Sequence, residues 1–265
     1  MHIASLHRYP IKGCRGHALE RAEFDDVGVV GDRRLMLVDG NGRFISQREV
    51  AALATIEPVL DGSTLTLHVD GFAPFVHQLI DDGSSRMVRI WGDTVPAVDQ
   101  GDAVATWFSD VLRESVRLVR WTSATHRKVD PVYSPRDTAE TTFADAYPAL
   151  IVLTASLDDL NRRLADPVPM ARFRPTIVVS GGEAWDEDHW REIAVGAMTF
   201  DAVKPCARCV VTTTDQENGN RHPRQEPLRT LAQFRTIRGL GAIFGQNLVH
   251  RAPGVLQVGE QVKAV

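Results

Sequence analysis

Along the first hundred residues, apolar and polar positions alternate in short runs, and each run ends in a turn. This period of two predicts strands over His2 to Tyr9, Leu35 to Val38, Thr55 to Leu60, Thr64 to Val69, Arg86 to Ile90 and Thr94 to Val98. Asp39-Gly40-Asn41-Gly42 is a hairpin signal, because these residues accept positive φ at little cost. Many short strands with frequent turns predict a barrel or a sandwich. The period then changes. Val104, Trp107, Phe108, Val111 and Leu112 recur at helical spacing, and with Asp102 as N-cap they predict a helix from Asp102 to Glu114. Arg117 to Arg120 is extended again. Thr122 to Pro148 follows neither period, and its polar sequence with Tyr133, Phe143 and Tyr147 suits a mobile lid or a plain surface loop.

From Leu150 the pattern becomes strand, helix, strand. Ser156-Leu157-Asp158-Asp159 resembles a capping box, with Leu157, Leu160 and Leu164 on one apolar face. Strands are predicted over Thr176 to Ser180, Glu192 to Val195, Met198 to Val203, Val210 to Thr214, Ile243 to His250 and Val255 to Val258. A short helix begins near Pro227 and carries Leu228, Leu231 and Phe234. The expected class is mainly β with a few helices, α+β, and the change of pattern places a boundary between residues 115 and 120.

Composition narrows the function classes. A chain of 265 residues buries a substantial core, and a net charge of −4 gives no sign of a nucleic-acid or membrane-surface partner. No apolar run approaches the roughly 20 residues that span a bilayer. The N-terminus enters a strand at once, leaving no room for a signal or transit segment, and an odd count of three cysteines fits a reducing compartment. The expected location is therefore cytoplasmic. The cations are 26 arginines against four lysines. Base composition accounts for most of that bias, yet several arginines fall in loops that suit an anion, where a guanidinium offers two hydrogen bonds at once.

The densest chemistry lies in Lys204-Pro205-Cys206-Ala207-Arg208-Cys209-Val210-Val211-Thr212-Thr213-Thr214-Asp215. Pro205 excludes a helix before the cysteine pair, and the β-branched run behind it predicts that the pair sits at the mouth of a strand. A thiolate is a ligand for a soft metal centre, and a neighbouring cation eases its formation. Spacing alone leaves zinc, a redox disulfide and inert packing open; a zinc site lacks a second ligand pair.

Several blocks together resemble a known family. Arg172-Phe173-Arg174-Pro175-Thr176-Ile177-Val178-Val179-Ser180-Gly181, then Trp185 to Trp190, then the cysteine pair with Thr212-Thr213-Thr214-Asp215, look like the core of a MOSC domain. Phe244-Gly245-Gln246-Asn247 through Gly259-Glu260 is similar to that domain's end. Tyr9-Pro10-Ile11-Lys12-Gly13-Cys14 and Gly31-Asp32-Arg33-Arg34 resemble the N-terminal β-barrel that precedes it. The resemblance is to the amidoxime-reducing component family and its bacterial members. It implies an N-terminal β-barrel-like domain over residues 1–117, packed on a MOSC β-barrel domain over residues 118–265.

The resemblance also implies a molybdenum cofactor held between the two parts, its metal bound by one protein cysteine, here Cys209. Lys12, Arg33, Arg172, Arg174 and Arg208 match cations that contact the cofactor or stabilise its thiolate. Thr154 and Ser156, with the free N–H groups of the helix opening at Ser156, match a stretch that meets pterin or phosphate. Cys206 is expected beside the ligand or in packing only. Where family members often carry asparagine this chain has Thr176, and Gly13-Cys14 replaces a serine-containing form. The implied activity is reduction of N-hydroxylated compounds, amidoximes or N-hydroxylated bases. The electrons would come from a separate ferredoxin, flavodoxin or cytochrome b5-like protein with its reductase, because no ferredoxin domain follows. Asp215 suits a proton relay or a turn, and the turn is favoured. Two rival readings remain: a sulfur or cofactor carrier using a persulfide or thiolate at Cys209, and a cofactor-free barrel with a structural cysteine pair.

Overall fold

The computed structural model describes residues 1–134 and 136–264. Pro135, inside the aperiodic segment, and Val265, at the end of the expected second domain, lie outside them. The described residues are mainly β, with three α-helices, as expected. The largest sheet has nine strands. Its main path runs Val262–Ala264, Glu192–Val195, Met198–Ala207, Gly241–His250, Ala149–Leu153, Ile177–Ser180, His2–Arg8 and His17–Leu19, with Thr236–Ile237 added beside Gly241–His250. All its pairs are antiparallel except Ala149–Leu153 with Ile177–Ser180, joined by the crossover that contains the helix Thr154–Asn161. Every residue of Ala149–Leu153 is buried, as a strand covered on both faces requires.

Residues from the middle of the N-terminal half build a second unit. Leu35–Val38, Arg117–Arg120, Asp93–Asp99 and Ser85–Ile90 form a four-stranded antiparallel sheet. Leu35 and Leu37 enter one core with the helix Asp102–Leu112, through Val104, Phe108 and Leu112. Met36 and Val38, on the opposite face, enter another core with Trp121 and Phe143. Glu57–Asp61, Thr64–His68 and Phe75–Gln78 make a meander against the first of these cores.

The expected strands are largely present, and the differences have local causes. Gly101 at φ +91°, rather than Asp102, precedes the helix Asp102–Leu112; Asp102 is its first residue and its carboxylate accepts from Arg117. The expected capping box is absent: the helix starts at Thr154, and Ser156 lies inside it, buried. Thr55 closes a 3₁₀ turn, Ala51–Thr55, before its strand begins. Met198–Ala207 runs past Val203 and takes in Pro205 and Cys206. Val210–Thr213 is a 3₁₀ turn where a strand was expected. Thr212 and Thr213 donate their hydroxyls back to the carbonyls of Cys209 and Val210, at 2.9 and 2.7 Å, which favours the tight turn over a ladder.

The two halves are not separate in the sheets. His2–Arg8 pairs with Ile177–Ser180, and Arg21–Asp25 pairs with Gly254–Gln257. Ile3, Leu6, Phe24 and Val29 share one core with Ile151, Ile177, Phe200 and Leu248. The expected division between residues 117 and 118 falls inside the strand Arg117–Arg120.

Candidate functional site

Chain turns from both halves enclose one cleft of about 920 Å³, counted out to where it opens to solvent. Its cations are Lys12, Arg33, Arg48, Arg174 and Arg208, and the one carboxylate among its lining residues is Asp145. Cys206 and Cys209 reach the same cleft. An excess of five cations over one carboxylate suits an anionic ligand.

Arg33 and Arg174 are held by one phenol. Their guanidinium carbons lie 4.5 and 4.3 Å from the Tyr9 ring centroid, and Tyr9 Oη donates to the Pro175 carbonyl at 3.1 Å. Both arginines have left-handed backbones, φ +46° and +53°, a conformation kept where the surroundings impose it. Burial pushes the Tyr9 hydroxyl up to about 12. Burial pulls Arg174 down to about 10, and the adjacent Arg33 adds to that. Burial also acts against Arg33, but Asp32, which accepts from it at 2.6 Å, outweighs this and raises it. Arg174 donates from Nη1 to the Cys14 carbonyl at 2.7 Å, and Cys14 itself is buried, its thiol pushed up to about 12 by burial.

Lys12 is buried and donates to Asp145 Oδ1 at 2.5 Å, while the Asp145 side chain is 72% exposed to the cleft. Burial lowers Lys12, and Asp145 opposes the change. Desolvation by the surrounding cleft walls acts to raise Asp145, but Lys12, Arg33 and Arg48 together hold it far below the ordinary carboxylate range. Asp145 belongs to the aperiodic segment, which is neither lid nor plain surface at this end. Arg127, 6% exposed, donates to the carbonyls of Thr142, Ala144 and Asp145 and so pins the backbone that lines the cleft.

Cys209 precedes the 3₁₀ turn Val210–Thr213, its backbone extended, and it follows a strand rather than opening one. The Arg208 guanidinium donates to Cys206 Sγ at 2.9 Å and to the Phe173 carbonyl at 2.7 Å. Its partner is therefore Cys206, not Cys209. Among the described residues, no three His, Cys, Asp or Glu side chains converge to hold a metal by themselves.

Three expected residues stand outside the lining. Ser156 donates to Glu187 Oε2 at 2.7 Å and accepts from the Trp185 N–H at 2.8 Å. The Leu153 N–H points to Glu187 Oε1, at 3.4 Å, so the start of the helix Thr154–Asn161 already faces a buried carboxylate. Neither Thr154 nor Ser156 is among the residues that line the cleft, and the Ser156 hydroxyl is taken up by Glu187 and the Trp185 N–H. Arg172 is buried, with Nη2 on Asp215 Oδ2 at 3.0 Å and with Nε and Nη1 lacking partners. Asp215 accepts from the Glu217 N–H at 2.8 Å, so it is the turn residue that was favoured. Sequence reasoning did not single out Asp145, Arg48, Trp91 or Glu187. Asp145 had a signal, the apolar Phe143-Ala144 and Tyr147-Pro148 around it in an otherwise polar stretch; the others are single residues with none.

Comparison with known proteins agrees with this architecture. The family described as MOSC N-terminal beta barrel domain matches residues 1–115, and the MOSC domain family matches residues 138–263. The chain is 35% identical to mitochondrial amidoxime reducing component 2 of Rattus norvegicus, over 98% of this chain and 82% of that one. It is 31% identical to mitochondrial amidoxime-reducing component 1 of Homo sapiens, with the same two shares covered. Component 1 of Danio rerio is 31% identical, over 98% of this chain and 83% of its own. No helix among the described residues is long and apolar enough to cross a membrane.

Proposed function

The chain belongs to the amidoxime-reducing component family of MOSC proteins, and from that premise we propose that it is a molybdenum cofactor-dependent oxidoreductase of N-hydroxylated substrates. The reaction consumes two electrons and two protons and turns an amidoxime into an amidine and water. A separate redox protein of the ferredoxin, flavodoxin or cytochrome b5 kind supplies the electrons, and the cytoplasm is the proposed place, although the relatives are named as mitochondrial.

The observation that carries this reading is one cleft with a five-to-one excess of cations and a thiol at its wall. The donor set fits the group: guanidiniums for a phosphate and a pterin edge, and one soft ligand for a metal that the protein alone does not hold. When bound, the cofactor supplies the two-electron step that removes oxygen from nitrogen. Cys209 is the metal ligand in this proposal, fixed by the turn behind it. Arg33 and Arg174 grip the anionic end, pre-positioned by Tyr9, and Lys12 adds a third cation from the N-terminal part. Arg208 keeps the adjacent Cys206 side chain in place. Arg172, ion-paired with Asp215, braces the turn that follows Cys209. The division near residues 117 and 118 is proposed as one of roles: cations Lys12 and Arg33 from the first part, thiol and remaining arginines from the second.

The test is elemental analysis of protein from a cofactor-producing host, with Cys209→Ser beside it. We expect about one molybdenum per chain in the unaltered protein, lost or held without turnover in C209S. Absence of molybdenum from the unaltered protein, with the host shown to make the cofactor, overturns the reading.

A further inference from the structure

Trp91 occupies a backbone position that does not suit it. It is the first residue of the two-residue loop between Ser85–Ile90 and Asp93–Asp99, whose ends pair as Ile90 with Asp93, and its φ is +54°. Such loops favour asparagine or glycine at positive φ, and a bulky residue there is strained. Strain of this kind concentrates where a side chain serves a ligand.

The surroundings name what the ring faces. Trp91 lines the cleft and is 39% exposed, whereas the other aromatic rings of the lining, Tyr147 and Phe173, are 8% and 0% exposed. Phe44 braces the indole at 4.7 Å between centroids. The Arg48 guanidinium lies 4.5 Å from the indole centroid, is exposed, and has no hydrogen-bond or ion-pair partner among the described side chains. Arg48 also stands near enough to Asp145 to help keep it ionised. Lys12 Nζ lies 5.8 Å from the indole centroid, so this corner of the cleft presents a partly exposed aromatic ring, a flat cation and a carboxylate. A flat conjugated molecule bearing N–H and N–O groups meets all three, and an aliphatic one meets only the polar pair.

We infer that Trp91, with Arg48 laid against it, is the substrate-recognition surface of the cleft, selecting planar, π-conjugated N-hydroxylated molecules over aliphatic ones. This rests on the reductase reading above. The exposure of Trp91 suits a molecule exchanged at every turnover, while the more enclosed cations suit a group that stays.

The probes are benzamidoxime and acetamidoxime, with Trp91→Asn and Trp91→Phe compared with the unaltered protein and molybdenum measured in each. Asparagine adopts positive φ at less cost than a bulky residue, so W91N removes the ring without adding backbone strain. The expected result is an aryl-over-aliphatic ratio of kcat/KM about tenfold lower in W91N, mainly through KM, with W91F keeping most of it and molybdenum equal in all three. An unchanged ratio in W91N overturns the inference, and so does a parallel loss of molybdenum, which assigns the ring to the cofactor. If the unaltered protein turns over neither probe, the reductase reading falls, and calorimetric titration with benzamidoxime decides the subsite. Binding that is lost in W91N and kept in W91F supports it; equal binding by both variants, or none by the unaltered protein, overturns it.

Discussion

Tyr9 shows how a single side chain serves two others. Its ring lies against both the Arg33 and the Arg174 guanidinium, and its hydroxyl bonds to the Pro175 carbonyl beside one of them. Glu187 is the counter-case, a fully buried carboxylate with a hydroxyl and a peptide N–H but no cation as partners. Burial pushes it up to about 7. The folded chain thus holds this proton to higher pH than the unfolded chain, whose glutamate titrates near 4.5. Its contribution to stability is full below the unfolded value and is lost as pH rises toward 7. Glu187→Gln has no such proton to lose. We expect the unaltered protein to lose on the order of 2–3 kcal/mol between pH 5 and pH 8 relative to E187Q, read from denaturant midpoints at the two pH values. Equal slopes in both proteins contradict the assignment. Neither residue's role was legible in sequence. A lone glutamate in Asp186-Glu187-Asp188 reads as a solvated charge, and only the fold turns it inward.

At the scale of elements, legibility followed the strength of the periodic signal. Leu35–Val38 and Ala149–Leu153 were readable because covered faces demand unbroken apolar runs. His17–Leu19 and Gly28–Val29, of three and two residues, carry no period to read. Val210–Thr213 has strand composition, but local hydroxyl-to-carbonyl bonds close it into a turn, so the cysteine pair ends one strand instead of opening another. The motif cations were found by resemblance, and five of the eight expected site residues line the cleft: Lys12, Arg33, Arg174, Arg208 and Cys209. The strand Gly241–His250, central to the sheet, depends on Gly245. Its φ is +77°, and a Cβ there would stand 2.5 Å from Val152 Cγ1 and 2.7 Å from the Ile151 carbonyl oxygen. Gly245→Ala is expected to cost about 2–5 kcal/mol of stability by chemical denaturation, from backbone strain and overpacking together. A loss within experimental error would show that the two strands separate more easily than their close approach implies.

Across the whole molecule, the sheets tie the ends of the sequence to each other more firmly than its halves divide. The core of the nine-stranded sheet draws on Ile3, Leu6 and Phe24 as well as on Ile177, Phe200 and Leu248. One cooperative unit follows, and calorimetry of the full chain is expected to give a single unfolding transition with equal calorimetric and van't Hoff enthalpies. A segment of residues 138–265 made alone would leave Ile177–Ser180 without its His2–Arg8 neighbour, an unpaired apolar edge. We expect that segment to aggregate; a soluble, folded product would contradict the shared core.

The first strand therefore has a problem of timing. His2 bridges to Gln261, and the Val262 N–H donates to the Met1 carbonyl at 2.9 Å. At about 5–20 residues per second, the ribosome delivers those partners about 10–50 s after the strand itself. Until Ile177–Ser180 is made, only His17–Leu19 pairs with the first strand and its other edge stays open, and the cleft walls that bear Lys12 and Cys209 have not met. Completion of the sheet therefore waits for Val262–Ala264, long after the cations Lys12 and Arg33 have been made.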